Sequence, residues 1–404
     1  MDKKNFKAML KKFKLLYELN AKIKAFQLKK NINKVKRFYE TKYQKYNLNY
    51  DELSAVNNFK DRHAKLRPEF VSKKVGELNI FWVGASEAQD NSGFIQALKK
   101  LGNVSEFFNC DGDYGPLYET SGLNWLDVRK LNDMTLLKQV KDTHLINKID
   151  VLIGQMWSHI YSEETLLKIR DLGIPVINIA MDDRLPDLWL KKDGYRMGSV
   201  GLGSGVDITL TTSPETCKWY FTENMSAIFW PLASDENLFG SSDNSNKDID
   251  ILFIGNRYGI RGKLINYLTK RGVNVSCYGD GWENGYVDAD QNVSLSKRAK
   301  IILGIGAIGH SSDVYTLKLR DFDALMTSGL YITHRNPDLL KLFKEGKHLE
   351  CYETPSELCK KLKYYIKHPK KCSSIGQQGY LLAKKKHSWY YRLSSTFTQL
   401  GLIS

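Results

Sequence analysis

The chain has 404 residues, of which 42% are hydrophobic and 12% aromatic, and it carries a net charge of +15. That length suits two ordinary domains with an appendage, and the composition supports large packed cores. No apolar run approaches a membrane span, no secretory signal pattern follows the lysine-rich start, and the six scattered cysteines include no CxxC pair. Reduced thiols in a cytosolic protein are therefore expected, and a cysteine metal site is not.

The charge is concentrated at one end. Residues 1–50 hold 15 Lys/Arg and 3 Asp/Glu, a local +12. Residues 1–47 read as one or two helices. Phe6, Leu10, Phe13 and Tyr17 recur at spacings of three and four, and Ile23 and Phe26 extend the series. A basic helix with such a stripe suits an anionic membrane surface. It also suits packing on its own body or pairing in a homodimer. Nucleic acid is disfavoured, because no nucleic-acid motif follows the arm. A connector, 48–76, includes Arg67-Pro68.

Strands and helices then alternate. Leu78–Val83 is a strand, Phe94–Leu101 a helix and Val104–Phe108 a strand, an opening of Rossmann type. Residues 109–124 form a long polar loop. Trp125–Leu145 is a helix, Ile149–Gly154 a strand, Glu163–Leu172 a helix, and Ile174–Met181 a strand ending in Asp182-Asp183-Arg184. Strands at Val206–Thr211 and Ala227–Trp230 complete the first set. Residues 235–248, rich in Ser and Asn, are a linker.

The alternation restarts with the strand Ile249–Ile254, the loop Gly255-Asn256-Arg257 and a helix from Gly262 to Thr269. Further strands are expected at Val273–Tyr278, Lys300–Leu303, Leu330–Thr333 and His348–Tyr352. Helices are expected from Thr316 to Gly329, from Pro355 to Lys367, and as one closing helix over Cys372–Leu400. The pattern defines an arm and connector (1–76), a first Rossmann-like domain (77–234), the linker, a second such domain (249–371) and a tail (372–404). Parallel sheets of this kind bind ligands beyond the carboxyl ends of their strands.

The helix after Thr316 carries the chemistry. Lys318 and Arg320 lie near its start and Asp323 one turn on. Two cations beside a helix N-terminus suit a diphosphate, and the carboxylate suits a pair of sugar hydroxyls. The alternative is an amphipathic helix with solvated charges. Gly255-Asn256-Arg257 and Arg261, at a strand-to-loop turn, are candidates to meet phosphate oxygens, balanced against ordinary surface arginines. Gly304-Ile-Gly-Ala-Ile-Gly309 matches GxGxxG. Its following helix begins too late for a dinucleotide turn, so it reads as small residues in a strand and its exit loop. Gly198, Gly201, Gly203 and Gly205 suggest a hinge or lid.

His159 and His310 are possible proton-transfer groups, with a structural role the common alternative. Asp182 and Asp183 are candidates for a base or for binding acceptor hydroxyls, or they cap the next segment. The absence of a DxD between apolar strands points to chemistry without a metal, and no cofactor is expected.

The second domain resembles that of GT-B glycosyltransferases in the group related to the spore maturation protein CgeB. The resemblance rests on Cys277-Tyr-Gly-Asp-Gly-Trp282, Leu319-Arg-Asp-Phe-Asp-Ala-Leu-Met-Thr-Ser-Gly329, Leu342-Phe-Lys-Glu-Gly346, Tyr352-Glu-Thr-Pro-Ser-Glu-Leu358 and His387-Ser-Trp-Tyr-Tyr-Arg392. Looser matches in the first domain are Asp182-Asp183-Arg184 and Trp230-Pro-Leu-Ala-Ser-Asp-Glu-Asn-Leu-Phe239. The resemblance implies two Rossmann-like domains facing across a cleft. A nucleotide-sugar donor would be held mainly by the second, at Gly255, Asn256, Arg257, Arg261, Tyr278, Gly279, His310, Lys318, Arg320 and Asp323. The acceptor, a glycan, lipid-linked glycan or polymer, would lie on the first domain, and the last helix would cross back to it. The family has a ribose-binding glutamate where this chain has Asp323, a departure that shortens its reach.

The implied activity is glycosyl transfer at the inner face of the membrane. A nucleotide-sugar epimerase or hydrolase, or a non-catalytic scaffold with the same fold, are the alternatives.

Overall fold

β1 (Leu78–Val83) is an almost unbroken apolar run buried on both faces, and it pairs with parallel strands on both sides. The computed structural model describes residues 14–118, 122–240, 247–308, 311 and 314–404. With β2 (Gly102–Glu106), β3 (Val151–Gly154), β4 (Val176–Ala180), β5 (Ile208–Thr211) and β6 (Ala227–Phe229), β1 builds a parallel sheet of order β2-β1-β3-β4-β5-β6. The register sets Ile80 opposite both Val104 and Val151. Phe81, Val83, Leu152 and Val176 share a core with residues of the covering helices, among them Leu136, Val140, Leu166 and Ile169. Each such side chain contributes roughly 1.5–3 kcal/mol by leaving water.

The α-helices of eight or more residues in this half are α1 (Lys14–Lys45), α2 (Glu52–Leu66), α3 (Phe94–Leu101), α4 (Trp125–Ile146), α5 (Glu163–Arg170) and α6 (Pro214–Thr222). The expected connector thus contains a helix, α2, started by Asp51, whose side chain accepts from Ser54 N at 2.8 Å. Its buried face is only Ala55, Val56, Phe59 and His63, too mixed for a clear apolar period. α6 was also unexpected. It begins with Pro214 at its first turn, and its Thr, Cys and aromatic residues have weak helix propensity.

The second sheet repeats the plan. β7 (Ile249–Ile254), β8 (Ser276–Tyr278), β9 (Ala299–Leu303), β10 (Leu330–His334) and β11 (Glu350–Tyr352) are parallel in the order β8-β7-β9-β10-β11. Ile251, Phe253, Ile301, Leu303 and Ile332 form its core with α7 (Arg261–Thr269) and, further along the chain, α10 (Pro355–Lys367) and α11 (Pro369–Lys386). α8 (Ala289–Arg298) was missed in the sequence, although Asp288 and Gln291 close a reciprocal capping box at its start. α9 (Leu319–Met326) begins three residues later than expected. The closing helix is two helices: α11 ends at Lys386, and Ser388 starts α12 (Trp389–Gln399) by accepting from Tyr391 N at 3.2 Å.

Contacts divide the chain into two units that do not follow its order. One holds the first sheet with Leu317–Thr327 and Tyr380–Ser404. The other holds the second sheet with Ser328–Gly379 and, of the described arm, the residues up to Arg37. α9 therefore counts with the first sheet, although it lies between β9 and β10 in sequence.

From Phe38 onward the arm is part of the first-sheet unit. Tyr39 is buried and stacks on Trp219 with ring centroids 5.4 Å apart, and Lys42 Nζ pairs with Glu223 at 2.9 Å. Among the described residues no helix is long and apolar enough to cross a membrane.

Candidate functional site

In both sheets the second strand in sequence lies outside the first, so the strand order reverses between β1 and β3 and again between β7 and β9. Ligands of open α/β sheets bind beyond the carboxyl ends of the strands at such switch points.

In the second-sheet unit the loop after β7 is fastened to the loop after β8. Gly255 N donates to Tyr278 O at 2.8 Å, Arg257 N to Asp280 O at 2.8 Å, and Trp282 Nε1 to Gly255 O at 2.7 Å. Asn256 Oδ1 accepts from Asp280 N at 3.1 Å. Gly279 has φ +119°, and a Cβ there would lie 2.6 Å from the carbonyl carbon of Gly255. Only glycine lets the two backbones meet so closely.

Arg257 is exposed beside this turn, its guanidinium 5.2 Å from the Trp282 ring. Arg261, expected on phosphate, is instead buried. It donates to Asn256 O at 2.8 Å and lies 4.0 Å from the Tyr258 ring, so it braces the turn from behind. The loop after β9 is no tight turn into a helix. Ala307 pairs with Tyr315 in an antiparallel bridge, and Ile308 N donates to Val314 O at 3.0 Å. Gly309 and His310 lie outside the described residues.

The residues of α9 lie in the first-sheet unit. Lys318 precedes the helix, and its backbone N–H is taken by Asp321 Oδ2 at 2.8 Å. Its ammonium does not stand open for a diphosphate: Lys318 Nζ pairs with Asp182 Oδ1 at 2.8 Å. Asp323 is half-buried and accepts from Ser234 Oγ at 2.7 Å. Burial pushes its carboxyl up to about 7, against the Ser234 hydrogen bond and the positive charge of Arg320. Phe322 meets the His387 ring at 6.0 Å. Lys318, Asp182, Asp323 and Ser234 are thus tied within one unit, whereas Gly255, Asn256, Arg257, Arg261, Tyr278 and Gly279 lie in the other.

Asp182 and Asp183 leave β4 in opposite environments. Asp182 takes φ +57°, an uncommon conformation for a non-glycine residue. Asp183 is 1% exposed, and its Oδ2 accepts from Thr211 Oγ1 at 2.8 Å and Tyr220 OH at 3.0 Å. Burial raises its carboxyl to about 7. In this arrangement Asp183 is an internal hydrogen-bond acceptor out of reach of an acceptor sugar, which leaves Asp182 as the accessible carboxylate of the pair. Asp183, one residue further along the chain, turns into the core.

The glycine-rich stretch expected as a hinge or lid is packed into the body here. Ser199, Val200, Leu202 and Gly205 are buried, and a side chain on Gly201 would strike Ser158 and the Arg196 carbonyl. His159 donates from Nδ1 to Met197 O at 2.6 Å.

Asp90 carries no motif in the sequence. It is 1% exposed and accepts from Tyr114 OH at 2.9 Å, Gln155 Nε2 at 2.9 Å and Ala85 N at 3.1 Å. Trp82 Nε1 donates in turn to Tyr114 OH at 2.7 Å. This network ties together the loops after β1 and β3. The only hint in the sequence is an aspartate within a few residues of Gly84, where the first strand ends.

Residues 261–397 match a family model described as glycosyl transferase-like. Several solved structures resemble the chain. *Anabaena* HepE in complex with UDP and glucose is 12% identical, with TM-score 0.51, over 80% of this chain and all of that one. Sucrose-phosphate synthase from *Thermosynechococcus elongatus* is 10% identical, with TM-score 0.52, over 80% and 99%. A glycosyltransferase from *Rickettsia africae* is 8% identical, with TM-score 0.56, over 82% and 98%. At these identities the likeness is one of fold, and the fold is GT-B, with two parallel-sheet α/β domains. None of the curated protein sequences matches the chain.

Proposed function

We propose that this protein is a metal-independent glycosyltransferase of the CgeB-like group. It moves a sugar from a nucleotide-sugar donor to a glycan, lipid-linked glycan or cell-surface polymer. The observation that carries this reading is the glycine-to-glycine contact of Gly255 and Gly279, which joins the loops beyond the carboxyl ends of β7 and β8, with Arg257 exposed beside it. The glycosyl transferase-like match over residues 261–397 supports it, as does the UDP and glucose bound by HepE on a similar fold.

The chemistry follows from the leaving group. Departure of a nucleoside diphosphate develops negative charge, and fixed cations and a helix N-terminus stabilise it. Lys318 and Arg320 are the cations proposed for this role, with the first turn of α9. Asp323 is proposed for the ribose and Asp182 for the acceptor hydroxyl. A non-catalytic scaffold is the second reading. It is favoured by one observation: Lys318 and Asp323 are already engaged, by Asp182 and Ser234.

The arm is proposed to hold the protein on an anionic membrane surface. Leu19, Ile23 and Phe26 stand exposed at spacings of four and three on α1, among lysines.

A thermal-shift screen against UDP, GDP, ADP, CMP and their sugar conjugates tests the transferase reading. A ligand that binds only the folded state raises the melting temperature. A shift with one nucleotide, lost in Arg320→Ala, is expected. No shift with any nucleotide moves the weight to the scaffold. Product analysis with the donor so identified separates transfer from epimerisation and hydrolysis.

A further inference from the structure

The second-sheet unit carries a cavity of about 300 Å³ whose lining includes Asp250, Lys300 and Ser328. Asp250 and Lys300 are the second residues of β7 and β9, and Ser328 lies two residues before β10. The cavity therefore sits at the amino ends of these strands, the end of the sheet opposite the loops of Gly255 and Gly279. None of the candidate donor residues lines it.

α10 and α11 supply the other walls, with Tyr365 and Ile366 near the end of one and Pro369 and Cys372 at the start of the next. The place of α11 is set at close range. A side chain on Gly376 would strike the Ser328 carbonyl, so glycine lets this helix lie against the chain that enters β10. Cys372 Sγ donates to Lys300 O at 3.6 Å, and Tyr365 OH donates to Glu350 Oε1 at 2.8 Å.

We infer that this cavity binds a free medium-chain carboxylic acid, with its hydrocarbon tail inward and its carboxylate at Lys300. The site is a second one and does not rest on the proposed glycosyl transfer. Ile301, Ile366, Pro369 and the Tyr365 ring give it apolar walls. Cys372 acts there as a small hydrophobe, its thiol pushed up to about 11 by burial. Ile301 and Cys372 are buried, whereas the side chains of Lys300 and Asp250 are 47% and 59% exposed, so the apolar end is the inner one. An apolar cavity of about 150 Å³ holds benzene, and this larger one has room for a chain of medium length.

The charges select the head of the ligand. Two ammonium groups, Lys247 and Lys300, line the cavity with one carboxylate, Asp250, a balance that favours an anion. Lys247 Nζ donates to Lys297 O and Ala299 O, both at 3.0 Å, so it adds charge from a fixed position. Burial lowers its ammonium to about 8, which leaves it charged at pH 7. Lys300 Nζ donates to Asp250 Oδ1 at 2.7 Å, and an ammonium has further N–H groups beyond the one this pair uses. One such donor at the mouth suits a monoanion better than a phosphate. The chains of a membrane glycerolipid end in uncharged esters, so the same charge selects a free acid over a lipid.

The test is isothermal titration of the full chain at pH 7 with octanoate, its methyl ester and butyrate. Octanoate should bind at one site. Butyrate has four fewer methylene groups and should bind roughly a hundredfold more weakly. The ester should bind about fivefold more weakly or worse, for want of the charge. Ile366→Asp and Lys300→Gln should each weaken octanoate by about fivefold or more. Both side chains are partly exposed, so these variants fold. Bound octanoate should also slow the alkylation of Cys372 by iodoacetamide, while the exposed Cys110 reacts equally with and without it.

Absence of octanoate binding overturns the inference. So does binding that is undiminished in Ile366→Asp, or that leaves Cys372 unprotected, because the acid then sits elsewhere. Equal affinity for octanoate and its ester overturns the assignment of the ligand as a free acid.

Discussion

Lys318 Nζ lies 2.8 Å from Asp182 Oδ1, joining the cation expected on a donor diphosphate to the carboxylate expected at an acceptor hydroxyl. The side chains are 29% and 44% exposed, so the pair contributes only about 0.2–1 kcal/mol. A diphosphate can displace so weak a partner. Asp182→Asn should therefore cost little stability, leave nucleotide binding intact or tighter because Lys318 is released, and lower turnover. Lys318→Met should weaken nucleotide binding about tenfold, the equivalent of 1.4 kcal/mol. Titration of each variant with the nucleotide found by thermal shift reads both effects. Unchanged binding in Lys318→Met removes this lysine from the donor site.

Asp323 gives a second test. Ser234 Oγ holds its carboxylate at 2.7 Å, which competes with any ribose for the same oxygen. Ser234→Ala removes one hydrogen bond, worth about 0.5–1.5 kcal/mol, and releases that oxygen. Nucleoside binding should persist or improve in Ser234→Ala and be lost in Asp323→Asn. Isothermal titration of both variants decides the matter. Equal affinity in the wild type and Asp323→Asn excludes a ribose contact.

Most of the architecture could be read from the chain because parallel strands buried on both faces print as apolar runs, as in Leu78–Val83 and Ile249–Ile254. α2 and α8 escape because side-chain caps at Asp51 and Asp288 start them, and α6 because its buried Thr216, Cys217, Trp219, Tyr220 and Thr222 follow no clean apolar period. The site was less legible. Lys318, Asp323, Asp182 and Asp183 were singled out by residue type, but type does not say whether a side chain faces solvent or core. Asp183 turns inward to Thr211 and Tyr220, and Arg261 turns back to Asn256. The pairing of Lys318 with Asp182 spans 136 positions and leaves no mark on either segment.

Gly279 and Gly285 separate backbone conformation from close approach. Both have positive φ, +119° and +69°, yet a Cβ on Gly279 meets the Gly255 backbone at 2.6 Å, whereas one on Gly285 meets nothing within 4 Å. Gly285→Ala should cost about 1 kcal/mol for its conformation alone. Gly279→Ala should cost roughly 2–3 kcal/mol and abolish the nucleotide-induced melting shift, because the two loops must part. Urea unfolding with and without nucleotide compares them. Equal costs show that the contact between the loops is not tight.

Asp183 makes stability depend on pH. Its carboxyl titrates near 7 in the folded protein and near 4 when exposed, so the folded state holds a proton that the unfolded state has released. Between those values stability falls as pH rises, and above the folded value the full cost of burying the ionised group remains. A shift of this size corresponds to on the order of 4 kcal/mol. Asp183→Asn has no such proton. Its stability relative to the wild type should rise from pH 5 to about pH 7 and level off above that. Asp323 titrates in the same window in both proteins and cancels in the comparison. Parallel urea melts across that range check the difference, and a flat difference shows that Asp183 stays ionised in its pocket.

The arm divides near Phe38, and truncations should respect that point. Tyr39 is buried on Trp219, and Tyr50 OH donates to Ala227 O at 2.9 Å, so residues beyond Phe38 support the body. Tyr39→Ala should destabilise the protein by about 3–5 kcal/mol, as expected for a large aromatic core side chain. Removing residues 1–30 deletes Leu19, Ile23 and Phe26 with most of the lysines and spares the buried Val35 and Tyr39. That shortened protein should melt within a few degrees of the full chain and lose its affinity for vesicles containing phosphatidylserine. Added salt should weaken the full chain's binding, because screening cuts the attraction between the lysines and the anionic lipids. Vesicle binding that survives the truncation assigns the membrane contact to the folded body. A change of oligomeric state on truncation, with no change in vesicle binding, makes the stripe a pairing surface between two copies of the chain.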